Sequence, residues 1–254
     1  MFHNALLVAV EGVDGAGKNT LTRKVSALLE SSGKHVSHIA FPRYGTLHAD
    51  LAAAALHGEM GDLVESAYAM ATLFALDRRE SLQPGGGLAA LVDTPAPDTQ
   101  VVQTAEPSQE ISRIIMMDRW VASNAAYSAA RLRESIQQPG GVVEWVAALE
   151  YGQFQLPAPD ITILLDVPVA LARKRAAQRE ASDTARRRDL YEHDSSLQER
   201  TASAYRDLAH AHWYGPWLSV SADVNPEDVA RAILAAKIGA VSYTHLRAHE
   251  TDSY

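Results

Sequence analysis

The stretch Glu11–Thr20, EGVDGAGKNT, does most to limit what this chain can fold into. It follows an apolar run, Ala5–Val10, and leads into a helical pattern, Leu21–Leu29. Strand, glycine-rich loop and helix in that order are the context that the phosphate-binding signature G-x-x-x-x-G-K requires. Gly12, Gly15 and Gly17 let the backbone bend tightly, so that several N–H groups converge on one anion at the positive end of a helix dipole. Lys18 then reaches the outer phosphates. The residue after the lysine, commonly a Ser or Thr that holds magnesium, is Asn19, and Thr20 sits about 100° further round the helix. Carboxylates are therefore expected to hold more of the metal.

The remaining composition narrows the partners. A chain of 254 residues is long enough to bury a sizeable core, and one domain over residues 1–240 is the expectation. A net charge of −8 argues against a general nucleic-acid or membrane surface, because neither polyanion attracts an acidic protein. With no cysteine there is neither a disulfide framework nor a thiolate metal site. No run approaches the roughly 18 apolar residues of a membrane span, and the N-terminus enters a strand without a leader pattern, so the expected location is cytoplasmic.

Further strands are predicted over His35–Phe41, Arg113–Met117, Asp160–Asp166 and Trp217–Ala222. The second ends in Pro42 and a turn, Arg43-Tyr44-Gly45, and in an open parallel sheet ligands collect beyond the carboxyl ends of strands. Helices are predicted over Thr46–Leu56, from an Asp62 cap to Arg79, and over Val121–Leu132, Val142–Phe154 and Val169–Arg179. Two more run from about Asp189 to His212 and from Asn225 to Ile238. Phe74 and Arg78 are four apart and share a face, and a wholly buried face would not accept an unpaired guanidinium. That face is read as lining a site. Asn124 and Tyr127 share another face, near Arg119.

Residues 83–110 shift to PGGG and TPAP with scattered Gln, Ser and Thr, which reads as a flexible, removable surface insertion. Residues 173–188 hold seven basic and two acidic residues in an acidic chain. A solvated helix face is one reading; an arginine-bearing lid over phosphates is the sharper one, since arginine clamps phosphate oxygens in pairs. Residues 241–254 lack either period, read as a translated vector or adapter sequence, and are left out of the fold. Five alternations of strand and helix after a phosphate loop give a three-layer α/β fold: a five-stranded parallel sheet with helices on both faces, of the P-loop NTPase type.

The blocks EGVDGAGKNT, AFPRYG, YAMATLFALDR, MDRWVASNAAYSAARL and RDLYEHD, with the basic segment Arg175–Arg188, resemble the thymidylate kinase family in its actinobacterial form. The resemblance covers about Ala5–Val224, interrupted mainly by residues 83–110. It implies magnesium-dependent transfer of the ATP γ-phosphoryl group to dTMP by a homodimer, with neither nucleic acid nor membrane as partner. It also implies roles for individual residues. Gly12, Val13, Asp14, Gly15, Ala16, Gly17, Lys18, Asn19 and Thr20 would hold ATP. Asp14 would touch nucleotide and Mg2+ together, with Glu192 as a second carboxylate near the metal. Phe74 would stack on thymine, Arg78 would bond a base oxygen, and Asn124 would read the base edge. Tyr127 would crowd the 2′ position, with Ser128 beside it. Arg119 and Tyr44 would lie at the acceptor phosphate, and Asp189 and Tyr191 on the nucleotide side. Arg175, Arg179 and Arg186 would form the lid, with Arg179 the best match to the catalytic arginine that joins Lys18, Arg119 and Asp14. Trp120 and Asn19 depart from the commoner family residues. A kinase for another nucleoside or nucleoside monophosphate, and a catalytically weakened binding protein, stay open. A guanine-nucleotide switch lacks its N-K-x-D element here.

Overall fold

The computed structural model describes residues 5–93, 113–182, 191 and 194–236. Five strands, β1 (Ala5–Glu11), β2 (His35–Ala40), β3 (Arg113–Asp118), β4 (Ile161–Leu165) and β5 (Trp217–Val220), form one parallel sheet in the order β2-β3-β1-β4-β5. β1 is buried along its whole length, as expected of a continuous apolar strand covered on both faces. Successive side chains point to opposite faces. Leu6, Val8 and Val10 accordingly pack with α1 (Lys18–Ser31) on one side. Ala5, Leu7 and Ala9 pack on the other. This is the expected three-layer α/β architecture.

On the α1 side the second layer also includes α7 (Val169–Ser182) and α9 (Pro226–Ala235), the latter capped by the Asn225 side chain with Pro226 in its first turn. The opposite layer includes α3 (Ala67–Glu80), α4 (Gly87–Asp93), α5 (Val121–Leu132), α6 (Val142–Ala147) and α8 (Ser195–His210). Helix α2 (Leu47–Leu56) packs against α3 at its edge. Because β1 lies between β3 and β4, the chain turns to opposite sides of it, and the loops after β1 and β3 open into one crevice, where ligands of such sheets bind.

Three sequence expectations need correction. Asp62 does not cap a long helix: Gly61–Glu65 is a short 3-10 turn, and Ser66 caps α3 by accepting from the Ala69 N–H at 3.1 Å. A Ser three residues before a free N–H meets the capping requirement better than the Asp upstream. The helix predicted over Val142–Phe154 changes pitch, from α-helical to a π-helical turn over Ala148–Gln153. Finally, part of the expected surface insertion is packed. Leu88 of α4 is fully buried in the core, and Arg113 donates to the carbonyls of Leu91 and Val92 at 2.8 and 2.6 Å. Residues 94–110 of that segment and the 241–254 tail lie outside the described residues.

Candidate functional site

The phosphate loop closes on itself as its glycines require. Gly12, Gly15 and Gly17 have φ of 140°, 81° and 108°, which a residue with a side chain adopts only under strain. At Gly15 a Cβ would lie 2.0 Å from the Ala172 carbonyl oxygen, so the loop and α7 meet backbone to backbone. Lys18 folds back over the loop, its Nζ donating to the Gly12 carbonyl at 3.0 Å and the Val13 carbonyl at 3.4 Å. Burial pushes the Lys18 pKa down, the Arg119 charge acts in the same direction, and Asp14, Asp118 and Glu11 oppose them. Asn19 and Thr20 are exposed at the start of α1.

Strand β3 delivers Arg119 to the same place. Its φ of 66° is rare for a residue with a side chain, and its N–H donates to the Val10 carbonyl at 3.0 Å, which pins it to the end of β1. Its Nη2 donates to Asp14 Oδ1 at 2.5 Å, and its Nη1 to Ser123 Oγ at 3.1 Å and Tyr205 Oη at 3.2 Å. Behind it lies Glu11, fully buried, whose carboxylate accepts from the Trp120 N–H at 2.7 Å, Ser123 Oγ at 2.6 Å and Tyr205 Oη at 3.0 Å. Burial raises the Glu11 pKa, against the hydrogen bond from Ser123 and the charge of Arg119. At Asp14 burial also favours the protonated form, but Arg119, Lys18 and the Tyr127 hydroxyl at 2.8 Å together outweigh it and hold the carboxyl at about 2. The result is an ionised carboxylate between two cations at the crevice floor.

From this floor a cavity runs between α3 and α5. Asp14, Arg119, Tyr44, Phe74, Arg78, Asn124, Tyr127, Ser128 and Tyr191 are among the residues that line it. Arg78 lines this cavity with Phe74, but it is 3% exposed and its guanidinium is not unpaired. Its charge is tolerated there because Glu150, from the π-helical turn, accepts from Nε at 2.5 Å and Nη2 at 2.8 Å. Asn124 donates through Nδ2 to the same carboxylate at 2.7 Å and to the Ala71 carbonyl at 2.9 Å. Phe74 is half-buried and free to offer its ring to a planar ligand. Tyr127 and Tyr191 stack at 6.1 Å, and Arg131 donates to the Tyr191 hydroxyl at 2.5 Å and to the Val64 carbonyl.

Tyr44, 66% exposed, rides on a loop that is clamped beneath it. Asp77, 1% exposed, accepts from the Arg43 N–H at 2.9 Å and Nε at 2.8 Å, while Arg43 Nη2 donates to Glu80 Oε2 at 2.8 Å.

The structure thus brings together Asp14, Lys18, Tyr44, Phe74, Arg78, Arg119, Asn124, Tyr127, Ser128 and Tyr191 around one crevice. Arg175 reaches the phosphate loop, donating to the Ala16 carbonyl at 2.9 Å. Arg179 falls within α7, with its side chain outside the described part; Arg186, Asp189 and Glu192 lie outside the described residues. Sequence reasoning missed Glu11, Tyr205, Asp77 and Glu150 as members of the site. Glu150 carried one legible signal, a carboxylate within the apolar helical run VVEWVAALEY, but its partner Arg78 is 72 residues away. Among the described residues no group of three or more His, Asp and Glu side chains is placed to hold a metal by itself, and no helix is long and apolar enough to cross a membrane.

Comparison with known proteins gives a consistent result. The family model described as thymidylate kinase matches residues 10–233. A thymidylate kinase of Mycobacterium tuberculosis (strain ATCC 25618 / H37Rv) is 45% identical over 229 residues, covering 90% of this chain and 97% of the relative. The thymidylate kinase of Bifidobacterium longum (strain NCC 2705) is 29% identical over 209 residues, 82% of this chain and 85% of its own. That of Xanthomonas campestris pv. campestris (strain 8004) is 32% identical over 173 residues, 67% and 61% of the two chains.

Proposed function

This chain belongs to the thymidylate kinase family, and on that premise we propose that it transfers the γ-phosphoryl group of ATP to dTMP through the crevice just described. The product pair is dTDP and ADP, a step toward dTTP. An oxygen of the dTMP phosphate attacks the γ-phosphorus as the bond from γ-phosphorus to the β,γ-bridging oxygen breaks and ADP leaves. The observation that carries this reading is one cavity lined by two chemically different sets of residues: Phe74, Arg78 and Asn124, and Asp14 and Arg119 with Lys18 close to them. The first set suits a base, the second a cluster of phosphates.

Catalysis of this transfer is mainly positioning and stabilisation of charge. Loop amides from Gly12 to Thr20 cradle the donor phosphates, and Lys18 exchanges its loop carbonyls for phosphate oxygens. A second hollow, between Thr20, Lys24, Arg175 and Val224, lies where the donor nucleoside would extend. Arg119, its Nη1 held by Ser123 and Tyr205, exchanges an Nη2 bond for one to the acceptor phosphate, with Tyr44 alongside. Arg175 and Arg179 on α7, with Arg186, close over the phosphates, and Arg179 supplies the guanidinium that meets the transferring group.

Mg2+ is commonly held by one or two carboxylates together with phosphate oxygens and water. Asp14 fits that requirement: its carboxylate is ionised, is 26% exposed and sits within the phosphate loop, with Glu192 as the expected second carboxylate. Bound there, the ion would neutralise phosphate charge. A homodimer in the cytoplasm completes the reading, and gel filtration with light scattering tests the assembly.

A coupled assay of ADP release, run over dTMP, dCMP and dAMP, tests the function. Catalytic efficiency on dTMP is expected to exceed the others by orders of magnitude, because a site built to bond a base edge rejects an analogue that leaves its buried polar groups unpaired. Equal efficiency on dCMP would point to a kinase of broader or different substrate range.

A further inference from the structure

We infer that Glu150 is the residue that sets the base specificity of this site, by fixing which hydrogen-bonding groups Arg78 and Asn124 turn toward the cavity. The inference rests on the reading of that cavity as the dTMP site. Glu150 is fully buried, and it is the shared acceptor of the two residues, taking Arg78 Nε and Nη2 at 2.5 and 2.8 Å and Asn124 Nδ2 at 2.7 Å.

An asparagine amide is ambiguous by itself, offering a donor or an acceptor by a simple flip. Here the ambiguity is removed. The group facing Glu150 Oε1 and the Ala71 carbonyl faces two acceptors, so it must be the amide NH2, and both of its hydrogens are used. What Asn124 has left for the cavity it lines is Oδ1, an acceptor. Arg78 spends Nε and one Nη2 hydrogen on the carboxylate, which leaves Nη1 as a donor. The cavity therefore offers an acceptor and a donor. Thymine presents the complement, N3–H and the C4 carbonyl. Cytosine presents N3 and an exocyclic amine, which reverses both.

Glu150 does this from outside the cavity, so it is a positioning residue. Its place in a π-helical turn is consistent with that, since such turns recur at functional sites. From this turn the one carboxylate meets α3 through Arg78 and α5 through Asn124.

The test is titration calorimetry of the full-length protein with dTMP and dCMP in the absence of ATP, on wild type and on Glu150→Gln. A glutamine has one acceptor and one donor, so either Arg78 or Asn124 meets a like group and loses its orientation. The ratio of the dCMP to the dTMP dissociation constant is expected to fall on the order of tenfold to a hundredfold. A merely structural role would lower the melting temperature and weaken both ligands alike, leaving the ratio unmoved. If Glu150→Gln fails to fold, Glu150→Asp keeps the charge opposite Arg78 but draws the carboxylate back by one methylene, and should lower the ratio several-fold. A ratio within about twofold of wild type in a folded variant overturns the inference. A wild-type protein without preference for dTMP would overturn the substrate reading itself, which is a separate failure.

Discussion

Asp14 Oδ1 lies 2.5 Å from Arg119 Nη2, which ties the phosphate loop after β1 to the turn after β3 across the floor of the crevice. The two residues are 105 positions apart, and parallel pairing of β1 with β3, which sets Val10 opposite Asp118, is what brings them together.

Lys18→Ala and Arg119→Ala should each lower kcat by on the order of 10² or more, because each removes a donor aimed at charge that develops between the two phosphates. Neither side chain belongs to an apolar cluster, so circular dichroism should show a folded chain. A near-wild-type rate for either variant would remove that residue from the mechanism.

The Asp14 carboxyl, held at about 2 against an ordinary value of 3.8, makes part of the stability depend on pH. Since the folded value is the lower one, the contribution is complete above about pH 5 and is lost as pH falls through 4 toward 2. Urea midpoints of wild type and Asp14→Asn should therefore converge between about pH 5 and pH 3. A constant gap over that interval would mean that the carboxylate gains nothing from Arg119 and Lys18.

Tyr205→Phe removes the hydroxyl that stands between Glu11 at 3.0 Å and Arg119 at 3.2 Å. The expected cost is about 1–2 kcal/mol in chemical denaturation, for a buried hydrogen-bonding group left short of a partner. The kcat/KM for dTMP should fall as well, because the hydroxyl holds the guanidinium that is read as the partner of the acceptor phosphate. Denaturation curves that superimpose on wild type would show the hydroxyl to be dispensable.

Leu88→Ala should cost at least about 2 kcal/mol, as for other fully buried leucines. Deleting residues 83–93 should lower the melting temperature sharply, the reverse of what the composition of that segment implies. Unchanged melting on truncation would show that α4 only rests against the core.

The sequence determined the frame by itself. The continuous burial of β1, the glycines at positions 12, 15 and 17, and the alternation of strands with helices are local consequences of chain composition and geometry, and each stands in the structure where its residues call for it. The cavity residues Phe74, Arg78, Asn124 and Tyr127 were legible too, because i and i+4 or i and i+3 on one helix share a face whatever the rest of the fold does. What only the tertiary structure decided is how charge is settled across distance. Nothing near Arg78 in sequence announces Glu150, and nothing near Arg119 announces Tyr205, since a buried ion pair or hydrogen bond is made by two elements that pack together and leaves no period in either. The same holds for α4, whose low-hydrophobicity surroundings hide one leucine that joins the core cluster of Ile115 and Met117 of β3. Local propensity is written every three or four residues, whereas partnership inside the protein is set by which strands lie side by side.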